Sequence, residues 1–280
     1  MRMRISTVLV GHERPAYLEA LEKIEAFFAD KMPDAIHRSV VVDNDRPRHE
    51  FERLGEGRML IGGDNSLREF SAWDRGIAYL DRMRENPHFV HLATSAFDSL
   101  YTQYLDRFGS TLLEAAYRAR AIVGHIDYYN EPIEVLDHTS QQWIRTSFFF
   151  VPAEVLHALG SVVSFDRSEQ LFSDDPAEPF LPDAPISKRY RELIVSWLTG
   201  EGTGQGVVWH SRFTLCEDTL PLFRAKALAI VNEHLLSVRM RALGYPIVDV
   251  SWLAGQLAEQ TAQGIDWRRP WRLQIEGRAK

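Results

Sequence analysis

The chain carries a single cysteine, Cys216, so no disulfide can form within it, and a reducing, cytoplasmic setting is the expected one. No His and Asn context of a thiol nucleophile accompanies it, and it reads as a small buried hydrophobe. No window approaches the ~18 apolar residues of a membrane span. Met1 to Val10 is a short basic lead-in to a strand-sized apolar run, without the long apolar region and small-residue cleavage site of a signal peptide. The formal net charge is −7 and no long basic run offsets it. Duplex nucleic acid is therefore excluded as the main partner, because neutralising its phosphates takes clustered Lys and Arg. A small anionic ligand held by a local group of donors stays open. The histidines form no zinc pattern, lacking both His-Glu-x-x-His and a cysteine pair. No Gly-Lys-Ser/Thr follows the glycines at 200, 202, 204 and 206, which excludes a phosphate loop, and the Gly-x-Ser-x-Gly elbow of serine hydrolases is missing.

What is present suits one large domain, or an α/β domain with an appended subdomain: 280 residues, 45% hydrophobic and 25% charged. Ile5–Val10 reads as a strand, broken at Gly11-His12-Glu13-Arg14-Pro15. From Tyr17 the apolar residues follow helical spacing. Val40-Val41-Val42 ends at Asp43-Asn44-Asp45, and Met59–Ile61 ends at Gly62-Gly63-Asp64-Asn65. A helix follows through Phe70, Trp73, Ile77 and Leu80, then a strand over Phe89–Leu92 that stops at Thr94-Ser95. This alternation predicts an α/β fold with a mostly parallel sheet flanked by helices, whose ligands bind at the carboxyl ends of the strands. Further on, Trp143 to Val151 reads as a buried strand, Pro152–Leu159 as a short helix, Ser173–Pro185 as a proline-rich loop, and Leu222 to Leu243 as a long helix closed by Gly244.

The polar strand ends are the candidates for chemistry. Asp43 and Asp45 can grip a divalent cation or the polar groups of a nucleotide, or can simply form an Asx turn that ends the strand. An apolar strand followed by Asp-x-Asp is also how a haloacid-dehalogenase-type phosphatase presents its nucleophile and acid, but Arg46-Pro47 stand where that motif wants smaller residues. Asp64, Asn65 or Ser66 can cap the following helix, with Glu69 in its first turn and Arg68 adding a fork of donors for phosphate. Trp209-His210 can stack on and hydrogen-bond a sugar ring, or can fill a core. Near the C-terminus, Trp267, Arg268, Arg269, Trp271 and Arg272 form a basic-aromatic tail. It either lies as a peripheral anchor on the inner membrane face or docks on its own domain.

The order of residues 1–95 resembles the family 2 glycosyltransferases and their rhamnan-synthesis-type relatives, which have the GT-A fold. Carrying the likeness are Val42-Asp43-Asn44 and the segment Asn65, Arg68-Glu69-Phe70, Trp73 and Gly76. A second match is Asn232-Glu233-His234 through Arg239 to Gly244-Tyr245. The resemblance implies that Gly11, His12, Glu13 and Asp43 contact base and ribose, with Asp45 beside them, and that Asp64, Asn65 and Arg68 line the donor site. It makes Glu233 the general base, with His234 as a second candidate where the family more often has Asp. Trp143 and Arg145 join Trp209 and His210 on the acceptor side. One departure stands out: the family's metal-binding Asp-x-Asp, expected after Leu92, is replaced by Thr94-Ser95-Ala96-Phe97-Asp98. One Asp with hydroxyls is a poor set for Mg²⁺ or Mn²⁺. This leaves a metal-independent enzyme, Asp98 as the sole protein carboxylate on a metal, or an inactive relative. The implied function is an inverting transfer of sugar from a nucleotide-sugar donor to a glycan or glycolipid acceptor. Residues 1–125 would form the donor half and 126–280 the acceptor and catalytic-base half. The alternatives are a non-catalytic nucleotide- or glycan-binding protein of the same fold, then phosphatase-type chemistry at Asp43 and Asp45.

Overall fold

The computed structural model describes residues 2–99, 102–200, 213–259 and 262–278. The chain divides into two compact units: Met1–Asp127 with Ile144–Val162 and Arg239–Lys280, and Tyr128–Trp143 with Val163–Val238. The first unit thus takes chain from both sides of the 125/126 boundary set from sequence.

The first unit opens with β1 (Arg4–Gly11), α1 (Arg14–Lys31), β2 (Ile36–Asp43), β3 (Phe51–Gly55), β4 (Arg58–Gly62), α2 (Arg68–Arg82), β5 (Phe89–Thr94) and α3 (Ser110–Arg118). Then come β6 (Ile122–Val135) and β7 (His138–Pro152), whose far portions belong to the second unit, and α4 (Ala153–Leu159). The strand order is β3-β4-β2-β1-β5-β7-β6-β8, where β8 is Ile247–Asp249. β4, β2, β1 and β5 run parallel, as the alternation of elements predicts, but the sheet is mixed: β3 runs antiparallel to β4, and β7 antiparallel to β5. Val8, Leu9, Val41, Val42, Leu60 and Ile61 are buried, because helices cover both faces of such a sheet. α1 buries Tyr17, Ala20, Leu21, Ile24 and Phe28, and α2 buries Phe70, Ala72, Trp73, Gly76 and Leu80. Gly76 lets α2 lie close on the sheet, since a Cβ there would come within 2.2 Å of Val8 Cγ1.

The C-terminal segment packs on this unit. After β8 come α7 (Val250–Glu259) and α8 (Trp271–Glu276), where Gln274 is buried; its Oε1 accepts from Asp249 N (2.8 Å). Arg278 donates to Asp249 Oδ2 at 2.8 Å. No helix of the described residues is long and apolar enough to cross a membrane.

The second unit contains α5 (Lys188–Thr199) and, up to Val238, most of α6 (Leu220–Ala242). Asn232 holds it together. Its Oδ1 accepts from Ser164 N (2.7 Å) and Phe165 N (2.9 Å), and its Nδ2 donates to Phe165 O (2.8 Å) and Leu228 O (3.0 Å). Residues 173–185 form a loop, as predicted. Cys216 departs from expectation and is exposed; hydrogen bonds with Thr219 lower its pKa.

A polar chain crosses the sheet of the first unit. Thr7 Oγ1 lies 2.7 Å from His37 Nε2 and 3.0 Å from His91 Nδ1. Phe28 stacks on His37, and Phe150 on His91, with ring centroids 3.9 and 4.6 Å apart. Burial pushes His37 down to about 4, with help from the Arg58 charge, and pushes His91 well below the ordinary range. In the unfolded chain both titrate near ~6.5. The unfolded state therefore binds more protons below that pH, so the stability these neutral rings contribute is complete above ~6.5 and is lost as pH falls toward 4. Between pH 7.5 and 5, urea unfolding should show a loss of about 2 kcal/mol from His37, with His91 adding to it in the same direction. In Thr7→Val with both histidines replaced by Phe the loss should shrink. An unchanged loss there would assign the acid sensitivity to other groups.

Candidate functional site

The strand register brings the predicted polar ends together. Gly11 of β1 lies beside Asp43 of β2, Asp43 beside Gly62 of β4, and Val10 beside Thr94 of β5. The order reverses at β1, which is followed on one side by β2 and joined on the other by β5, and such a switch point opens a crevice at the carboxyl edge. Three residues just past these ends have left-handed backbones without being glycine: Glu13 (φ 70°), Asn65 (φ 52°) and Arg68 (φ 53°). Such conformations cost roughly 1 kcal/mol or more each and persist where surrounding structure dictates them, often at ligand sites.

Asp43 is 4% exposed and already engaged. Its Oδ2 accepts from Tyr17 Oη (3.0 Å) and lies 3.4 Å from Arg46 Nε, and its Oδ1 accepts from Asp45 N (3.0 Å). Burial pushes Tyr17 up to about 12, with the hydrogen bond to Asp43 adding to it. Asp45 accepts from Glu13 N at 3.3 Å, tying the ends of β1 and β2. Asn44 bridges to the third strand end: its Nδ2 donates to Arg68 O (3.2 Å) and Asn65 Oδ1 (3.4 Å). Gly63 admits this approach, since a Cβ there would lie 2.3 Å from Asn44 Oδ1. Beside them Arg14 forks onto Glu52 (2.7 and 3.0 Å), which also takes Arg46 (2.9 Å); the Arg14 hydrogen bond foremost holds Glu52 down to about 2.

The helix-capping expectation fails. Asp64 Oδ1 accepts from Ser66 N (3.0 Å) and Ser66 Oγ (2.8 Å), closing an Asx turn, while Leu67 is the N-cap and offers no side-chain bond. Asp64 also pairs with Arg48 at 3.0 Å. Arg68 therefore begins α2 by a left-handed kink, its Nε 3.8 Å from Glu69. His12 is exposed, and Thr94 and Ser95 are half-buried at the end of β5, where Ser95 N donates to Val10 O. Asp98 is held by Lys23 at 2.6 Å, and among the described residues no group of His, Cys, Asp and Glu forms a metal cluster.

The acceptor-side candidates fall in different places. Glu233 is half-buried on α6 in the second unit, and its charge acts on Tyr190. His234 beside it is 0% exposed, its Nδ1 2.8 Å from both Tyr190 Oη and Ile230 O and its ring stacked on Tyr129. That placement packs α6 and keeps the ring from solvent. Trp143, 3% exposed, packs on Tyr129 and His234. Arg145 lies in the first unit, forked onto Asp127. Trp209 and His210 lie outside the described residues, as do the glycines at 202, 204 and 206. Sequence reasoning missed Tyr17, Asn44, Arg14 and Glu52. Tyr17 is legible as the first buried residue of α1, but its bond to Asp43 depends on the β1–β2 register. Glu52 lies on a short edge strand with no apolar signal.

No family model matches the chain, and no curated protein matches it either.

Proposed function

We propose that the protein is a GT-A-like glycosyltransferase that binds a nucleotide-sugar at the carboxyl edge of β4, β2, β1 and β5 and passes the sugar to a glycan or glycolipid acceptor. The observation that carries this is the convergence of Gly11, Asp43, Gly62 and Thr94 at one switch point, with strained residues Glu13, Asn65 and Arg68 around it. Asp43 and Asp45 offer acceptors to ribose and base, and Arg68 offers a cation to the diphosphate. Glu233 takes the acceptor proton. A second reading, a non-catalytic nucleotide-binding protein of this fold, is favoured by the Lys23–Asp98 pair at the place of the family's metal ligands and by the burial of His234.

The test is a thermal-shift panel of UDP, GDP, dTDP and CMP sugars, each with and without Mn²⁺. One conjugate at 100 times its Kd should add about 2.7 kcal/mol of stability, with little dependence on metal. The shift should fall in Arg68→Ala. Asp43→Ala will also lower the baseline melting temperature, because its buried bonds to Tyr17 and Asp45 go with it. If no conjugate shifts the wild type, the donor site is not there.

A further inference from the structure

Outside that donor edge, the first unit builds a second polar cluster on β6, β7 and β8. Arg145 Nε donates to Asp127 Oδ2 (2.8 Å) and its second amino group to Asp127 Oδ1 (2.7 Å). Both side chains keep contact with solvent, 19% and 26% exposed. His125 Nε2 lies 3.6 Å from Asp127 Oδ1. Its Nδ1 makes no hydrogen bond and stands 3.9 Å from Asp249 Oδ2. The Tyr104 ring supports both neighbours, 5.5 Å from the Arg145 guanidinium carbon and 5.1 Å from the His125 ring. Burial raises the Asp127 carboxyl, but the Arg145 charge and hydrogen bond outweigh it and keep it ionised. Burial pushes His125 down to about 4, so its ring is neutral at pH 7, one nitrogen a donor and the other an acceptor.

The placement matters as much as the chemistry. Phe148 of β7 pairs with Ala93, near the end of β5, so Arg145, three residues further toward the start of β7, projects past the carboxyl end of β5. Asp249 closes β8 at the same edge, opposite Gly124. The cluster therefore flanks β5 on the side away from β1, β2 and β4, where the donor reading puts the nucleotide.

Its charges balance, two guanidiniums (Arg145, Arg278) against two carboxylates (Asp127, Asp249). A balanced cluster has little to offer an anion. A planar carboxylate–guanidinium fork beside a neutral imidazole instead presents acceptors and donors together, the pattern that adjacent hydroxyl groups satisfy. We infer that Asp127, fixed by Arg145 and flanked by His125, is a saccharide-hydroxyl subsite that receives the sugar of the ligand. The assignment to a donor sugar rests on the proposed transferase function; the hydroxyl-binding chemistry does not.

The experiment compares wild type with Asp127→Asn and Arg145→Lys by isothermal titration of UDP, GDP, dTDP and CMP and of their sugar conjugates, and by binding to a printed glycan array. Melting curves confirm that each variant is folded. Arg145→Lys keeps a cation beside the carboxylate and serves if Asp127→Asn does not fold. In the wild type the conjugated sugar should add affinity over the bare nucleotide. Either variant should cut that added affinity about tenfold, the order of one charge-assisted hydrogen bond, and leave bare nucleotide binding unchanged. Equal losses on nucleotide and conjugate make the pair a structural fork and overturn the subsite, as does a sugar contribution that survives in both folded variants. Absence of nucleotide binding in the wild type defeats the transferase reading, and the array then decides the subsite. A glycan held by wild type and lost in the variants upholds it, and no glycan held by wild type overturns it.

Discussion

On the proposed transferase function, Glu233→Gln should lower sugar transfer by about 10²–10⁴-fold, the usual worth of a general base, while the affinity for the nucleotide-sugar stays near that of wild type. The amide keeps the shape of the side chain but cannot take the proton that leaves the acceptor hydroxyl as the new glycosidic bond forms. Glu233 lies on α6 in the second unit, whereas Asp43, Arg68 and the other donor candidates belong to the first. Glu233 is none of these donor candidates, so titration should find donor affinity unchanged while steady-state rates fall. A near-normal rate in the folded variant ends the assignment. His234 is not a ready substitute, because its ring is enclosed by Tyr129, Trp143 and Tyr190.

Asn232→Ala, one residue earlier, should behave in the opposite way, with a large loss of stability whose size chemical denaturation will measure. The side chain is 1% exposed and makes four hydrogen bonds to backbone groups. Truncation takes the acceptor from the buried amide of Phe165 and from the half-buried amide of Ser164, at about 1–3 kcal/mol for each group left unsatisfied. A total near 4 kcal/mol is expected, among the larger effects of single substitutions. Asn232→Asp retains the acceptor side for both amides but loses the bonds to Phe165 O and Leu228 O, and should fall between. A loss under about 1 kcal/mol in Asn232→Ala would show that the 164–165 turn finds other partners.

The parallel centre of the fold is legible in the sequence because its strands carry apolar, β-branched runs that end in polar breaks. Ile5–Val10, Val40–Val42 and Met59–Ile61 fall inside β1, β2 and β4, and the helix through Phe70 and Trp73 is α2. The two-stranded arm is harder to see. β6 carries Asp127, Asn130, Glu131 and Pro132, and its turn to β7 is Leu136-Asp137, both left-handed (φ 44° and 61°). Such a turn ordinarily advertises itself by Asn-Gly or Asp-Gly, and leucine gives no such sign. β3 is missed for a related reason: it is a short edge strand, and Phe51-Glu52-Arg53-Leu54-Gly55 has no fully buried residue, only Leu54 packing in part on the core. At the site, the sequence points to strand ends but not to what they touch. That Asp43 is satisfied from within, or that Asp64 closes a turn rather than capping α2, depends on register and backbone conformation and not on residue type.

The Thr7 hydroxyl has one proton to give, and this couples two rings on different strands. If Thr7 donates to His91 Nδ1, His37 must donate from Nε2, and the proton of each ring then sits on Nε2. If it donates to His37 Nε2, His91 must donate from Nδ1, and both protons sit on Nδ1. Either way His37 and His91 hold the same tautomer, although β1 lies between their strands. His91 Nε2 has no hydrogen-bond partner, while Phe148 and Phe150 lie against its ring. An N–H directed at an aromatic face is better accommodated than a bare lone pair. The proton order therefore runs from His37 through Thr7 to His91, so that nitrogen spectra of the two imidazoles should report one shared Nε2–H form.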